Sequence, residues 1–202
     1  MITKIFGPPG TGKTTTLLNH VKNFILNEKI DTKKIGYFAF TKKAAREAKE
    51  RLLEDKEVSH LLSKDDLQNF RTLHSFAFQT IGMSEDRVMQ SEHYEQIGKD
   101  LNLRVTDGGD ESGYLSFNSE YFKLINKARV KNISVEEEFN SNEWSREIDY
   151  ETLGHIYLNY NNFKKNNTLY DFNDMIDLFV KKKNECQELE YIFIDEAQDL
   201  SP

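Results

Sequence analysis

The chain has 202 residues, a net charge of −7, 38% hydrophobic and 30% charged side chains, and one cysteine, Cys186. It is long enough to bury a core and reads as one or two globular domains. One cysteine excludes an internal disulfide framework, no run reaches the roughly 20 apolar residues of a membrane span, and MITKIFGPPG lacks a signal-peptide core, so a cytoplasmic protein without a membrane partner is expected.

In chain order, Ile2–Phe6 predicts a short first strand, followed by a glycine-rich turn. Thr14–Asn27 predicts a helix, with Leu17, Leu18, Val21, Phe24 and Ile25 on its apolar side. Ile35–Phe40 predicts a second strand, and Lys42–Leu53 a helix that buries Ala44, Ala48 and Leu52. Leu67–Thr72 predicts a third strand, with a helix starting near His74. Between residues 85 and 167 the patterns are mostly helical, broken by a loop at TDGGDESG, 106–113. This segment holds the acidity: residues 85–150 carry 15 acidic and 8 basic side chains, and the rest of the chain balances. Asp171–Lys182 predicts a further helix, and Tyr191–Ile194 a buried parallel strand. The expected fold is α/β, a parallel sheet core with an inserted, mostly α-helical subdomain. The expected division is a core from 1–84 and 168–202 and an insert from 85–167.

Gly7-Pro8-Pro9-Gly10-Thr11-Gly12-Lys13-Thr14 matches G-x-x-x-x-G-K-[ST] between a predicted strand and a predicted helix. Glycines let the backbone wrap closely around phosphate oxygens, and loop N–H groups and the helix start attract the anion. Gly7, Pro8, Gly10, Thr11, Gly12, Lys13, Thr14 and Thr15 are therefore the candidate phosphate-binding residues. Lys13 is a charge for the β- and γ-phosphates, and Thr14 is a magnesium ligand. Tyr191–Ile194 delivers Asp195 and Glu196 to the end of a strand, where ligands of open α/β sheets bind. Asp195 is the candidate second magnesium ligand, and Glu196 the catalytic group that polarises the attacking water. Asp195 lies far along the chain from Lys13, which argues for a large insert between them and against a compact P-loop kinase.

GPPGTGKT (7–14), AFTKKAAREAKERL (39–52), RTLHSF (71–76), LYDFNDMIDL (169–178) and IFIDEAQDLSP (192–202) resemble, in order, successive motifs of the UvrD/Rep family of superfamily 1 DNA helicases. The resemblance implies that the α/β core is a P-loop NTPase (RecA-like) parallel sheet with an inserted, mostly α-helical subdomain. It further implies an enzyme that uses ATP and Mg²⁺ to move along single-stranded DNA and unwind duplex junctions in the 3′ to 5′ direction, in DNA replication or repair. It implies catalytic roles for Lys13 and Glu196, and a role for Gln198 in contacting the nucleotide and coupling its state to a neighbouring domain. It also places Phe40, Thr41, Lys42, Arg46, Thr72 and His74 on the DNA side. On residues alone, Phe40 reads as core, His74 as a cap or core residue, and the 41–51 charge run as a solvated face. A ring at a strand exit that stacks on a base, with Lys42, Arg46 and Lys49 meeting phosphates, is the functional alternative. Asp171, Asp174 and Asp177 read as part of an amphipathic helix packed beside the phosphate-loop sheet and not as a metal site, because their spacing drifts around a helix and does not converge. A basic patch of Lys123, Lys127, Arg129 and Lys131 is a second candidate for DNA contact.

Only Met1–Phe6 precede Gly7, where the family carries a glutamine motif that reads adenine, so the choice between ATP and GTP stays open. The sequence read here stops just after the DEAQD motif, before the arginines that reach the γ-phosphate and the second RecA-like domain. The expectation is that this chain binds ATP and Mg²⁺, hydrolyses slowly and does not unwind DNA alone, with the missing C-terminal helicase domain acting in cis or in trans. The alternative is a stand-alone nucleotide-dependent DNA-binding regulatory protein.

Overall fold

A computed structural model describes residues 2–8, 10–103, 119–141, 144 and 148–199. The loop expected at 106–113 lies outside the described residues, as do Pro9 and Leu200–Pro202. The chain divides into two compact units, Met1–Phe76 with Cys186–Leu200, and Ala77–Glu185.

The first unit is mixed α/β. Helix α1 (Lys13–Leu26) buries Leu18, Val21 and Ile25, spaced to lie on one stripe of a helix. Strand β1 (Ile35–Phe38) is buried at all four positions, as expected of a central strand covered on both faces. Helix α2 (Lys42–Glu54) begins where Thr41 Oγ1 accepts from the Ala44 amide at 3.0 Å. It buries Ala45, Ala48 and Leu52, so Ala45 takes the place that Ala44 was expected to fill. Strand β2 is only Phe70–Arg71, because Lys64–Leu67 closes into a 3₁₀ turn held by a Ser63–Asp66 capping box. Helix α3 (Leu73–Thr80) starts in this unit. Strand β3 (Tyr191–Ile194) completes a parallel sheet of order β2-β1-β3, but it is not the buried strand expected: it lies at the edge of the described sheet, and Ile192 and Ile194 are exposed. Tyr37 lies between Phe70 and Phe193 in the register. Phe24 of α1 packs on Tyr191 and Phe193, with ring centroids 4.1 and 5.8 Å away.

The strand expected at Ile2–Phe6 is absent from the described sheet. These residues have no strand hydrogen bonds, and Ile2 and Phe6 are each 87% exposed. An apolar run becomes a strand only where a neighbour supplies its ladder, and here β3 bonds to β1 alone.

The second unit is helical, with α4 (Ser91–Asp100), α5 (Glu120–Val130), α6 (Val135–Phe139), α7 (Tyr150–Asn167) and α8 (Phe172–Lys181). Tyr94, Phe122, Leu124, Leu153, Ile156 and Tyr160 form its core, and Trp144 packs against it. Two expectations are corrected here. Asp171 is the N-cap of α8 rather than part of it, so the three aspartates do not drift apart. Arg129 bonds Asp171, lies 2.7 Å from Asp174 and reaches within 3.7 Å of Asp177. Lys164 Nζ adds bonds of 2.6 and 2.8 Å to Asp171 and Asp174, and the Tyr160 hydroxyl donates to Asp171 at 2.6 Å. The proposed basic patch is also internally neutralised. Lys123 pairs with Glu120, Lys127 and Lys131 with the buried Glu138, and Arg129 with the aspartates. Among the described residues no helix is long and apolar enough to cross a membrane, and none form a metal-binding cluster.

Candidate functional site

Parallel strands end on the same edge of a sheet, so the residues that follow β1, β2 and β3 are brought together there. Backbone bonds fix this edge: the Ala39 amide donates to Arg71 O at 3.2 Å, and the Asp195 amide to Phe38 O at 2.9 Å. Phe40 and Thr41 therefore leave β1 beside Thr72, which leaves β2, and Asp195, which leaves β3.

The phosphate loop leads into α1. Gly12 is the N-cap at φ 79°, a backbone region open to glycine at little cost. A Cβ on Gly7 would lie 2.5 Å from Thr11 Oγ1, so a side chain there would displace the Thr11 hydroxyl from its bond to Pro8 O. Thr11 Oγ1 donates to Pro8 O at 2.8 Å, and Lys13 Nζ donates to Gly7 O and Pro8 O at 3.0 and 3.3 Å. No described side chain caps the start of α1, and its first turn holds no acidic residue. A helix start with free amides, positive dipole and an adjacent ammonium suits an anion.

Across 181 positions of sequence, the Thr14 hydroxyl donates to Asp195 Oδ2 at 2.9 Å. The same carboxylate oxygen accepts from the Tyr37 hydroxyl, also at 2.9 Å. Burial, and then the Asp195 carboxylate, push the Tyr37 phenol far above its ordinary range, so it stays a donor. Asp195 Oδ1 accepts from the Glu196 amide at 3.1 Å. Glu196 sits at φ 51°, a conformation that costs a non-glycine residue energy and turns its side chain out of the strand line. Gln198 Nε2 donates to Glu196 Oε2 at 2.5 Å, linking two of the expected site residues. Thr15 is exposed on the first turn of α1. A hydroxyl and a carboxylate in contact are hard oxygen donors of the kind magnesium takes. These residues therefore fit the phosphates and metal ion that the motif implies.

On the other expected surface, Lys42 and Arg46 are exposed at the start of α2 and Phe40 is half-buried. Arg46 has only a loose, exposed pair with Glu50 at 3.7 Å. Thr41 and Thr72 act as helix caps, the latter accepting from the Ser75 amide at 3.2 Å while itself buried. Burial lowers the His74 imidazole below its usual range, which favours a neutral ring. Lys49 is lowered by burial and by the neighbouring Arg71 cation, which is itself half-buried. Sequence reasoning missed the contact of Tyr37 with Asp195, because Tyr37 is hidden inside an apolar run.

Parallel strands, a glycine loop at a helix start and a strand-end aspartate touching it define an α/β domain of the P-loop NTPase type. The chain belongs to the UvrD/REP helicase N-terminal domain family, whose model matches residues 2–202. It is 26% identical over 215 aligned residues to a probable DNA helicase II homolog of Mycoplasma genitalium. The match covers 96% of this chain and 29% of that relative, so the chain spans less than a third of the relative's length.

Proposed function

We propose that this chain is the ATP- and Mg²⁺-binding part of a superfamily 1 DNA helicase. The carrying observation is the 2.9 Å hydrogen bond between Thr14 and Asp195, which brings the phosphate loop and the Asp-Glu strand end into one site. The loop amides and Lys13 hold the β- and γ-phosphates. Thr14 and Asp195 hold the metal, which supplies charge neutralisation on the transferring phosphoryl group. Glu196 orients the attacking water, and Gln198, bonded to it, senses the nucleotide. Phe40, Lys42 and Arg46 face single-stranded DNA, with the ring stacking on a base and the cations meeting phosphates. Thr41, Thr72 and His74 support that surface, the two threonines by shaping the helix starts that carry it.

Translocation and unwinding belong to the longer assembly that such a domain serves, in which a second domain brings arginines to the γ-phosphate. Residues 1–202 supply the nucleotide- and metal-binding side of that site, and an arginine brought to the γ-phosphate is worth about 10³–10⁵ in rate. Its setting is the cytoplasm. The test is equilibrium titration of the chain with a fluorescent ATP analogue in magnesium. Saturable binding that Lys13→Ala weakens roughly tenfold or more supports the reading. Binding that Lys13→Ala leaves unchanged contradicts it.

A further inference from the structure

We infer that Tyr37 is a positioning residue for the metal-binding carboxylate Asp195, an inference that rests on the nucleotide-site reading above. Tyr37 is on the central strand, is fully buried, and is neither in the phosphate loop nor at a strand end. Its ring stacks on Phe70, with centroids 5.2 Å apart and planes within 5°. The side chain therefore approaches Asp195 from within the sheet, held by packing that leaves the hydroxyl little freedom. That hydroxyl and the Thr14 hydroxyl meet the same oxygen, Oδ2, at 2.9 Å each. Oδ1 is held by the Glu196 amide at 3.1 Å. The carboxylate is thus fixed at both oxygens by the protein itself.

The two donors on Oδ2 differ in what a metal asks of them. Thr14 is proposed to ligate the ion, so its bond to Asp195 must yield or rearrange as the metal enters. Tyr37 is buried behind the carboxylate and has no such second task. It keeps the carboxylate in one rotamer while Thr14 turns to the ion. Buried partners of metal ligands orient them in this way, and their removal typically costs about tenfold or more in metal affinity. A phenylalanine would fill the same space and leave Asp195 free to swing.

The test titrates magnesium into the 202-residue chain with a fixed fluorescent ATP analogue, and measures the same analogue in EDTA. Tyr37→Phe is expected to raise the magnesium needed for half-saturation about tenfold while metal-free binding stays as in the parent. Phe70→Leu, which loosens the same packing but keeps the hydroxyl, is expected to raise the magnesium requirement by clearly less than Tyr37→Phe does. A Tyr37→Phe titration that overlays the parent overturns the inference. A Phe70→Leu shift equal to that of Tyr37→Phe also overturns it, since packing alone would then be the cause. If the parent binds the analogue with no magnesium dependence, the nucleotide-site reading falls, and this inference falls with it. Thermal melts of both variants check that each is folded at the temperature of the titration.

Discussion

Lys42 and Arg46 are exposed in the first turns of α2, where neither is locked into a tight internal ion pair. That separates them from Lys123, Lys127, Arg129 and Lys131 of the second unit, which are paired with carboxylates within the chain. Charge reversal at either position, Lys42→Glu or Arg46→Glu, is therefore expected to weaken single-stranded DNA binding across sequences alike. The slope of log affinity against log salt is expected to fall by about 1 per residue. Fluorescence anisotropy over a salt series measures both effects. Lys13, Thr14 and Asp195 were legible in the sequence because the spacing of their motifs encodes a backbone shape. Tyr37 was not, because in the run IGYF a tyrosine reads as core. Nothing local encodes where its hydroxyl ends up. Glu196 was legible as a carboxylate, but its left-handed backbone follows from the turn that β3 must make at the sheet edge.

Among the elements, α2 links the sheet edge to the expected DNA surface, and Thr41 is where it is anchored. Thr41→Ala removes the bond to the Ala44 amide and is expected to cost about 1 kcal/mol, read as a lower midpoint in urea unfolding. The spans of helix α2 and strand β3 were legible nearly residue for residue, because each carries a strong pattern between clear boundaries. The burial expected of β3 was not met, since a run of apolar residues does not say which strand lies at the edge. Strand β2 shrank to Phe70–Arg71 because a Ser63–Asp66 capping box claims the preceding segment for a 3₁₀ turn. Ile2–Phe6 has the composition of a strand, yet pairing is a tertiary property that composition does not hold. The amphipathic pattern of α8 was legible, whereas the convergence of its aspartates was not. Their partners Arg129 and Lys164 lie on α5 and α7, and the N-cap geometry of Asp171 turns it toward them.

At the scale of the whole molecule, chemistry and charge are divided between the units. The first holds every residue proposed to touch nucleotide or DNA, and the second holds a buried ionic cluster around Asp171. Burial raises the Asp171 carboxyl, but Lys164 and Arg129 outweigh it and hold the group down to about 2. A carboxylate depressed in the folded state contributes stability that is complete above its ordinary range near pH 4. That stability is lost as pH falls toward about 2. Asp171→Ala leaves Arg129 and Lys164 without their shared partner and is expected to destabilise this unit by about 3–5 kcal/mol at neutral pH. Chemical unfolding at pH 7 and at pH 2.5 checks both points. The variant and the parent are expected to differ less at the lower pH.

Crystals of the chain with manganese in place of magnesium and a non-hydrolysable ATP analogue test the central claim most directly, because anomalous scattering locates the metal. One metal peak is expected at Thr14 Oγ1, with Asp195 reaching it directly or through one water, and phosphates on the amides at the start of α1. A metal peak away from Thr14 and Asp195, or phosphates bound anywhere but the loop of residues 7–14, would contradict it.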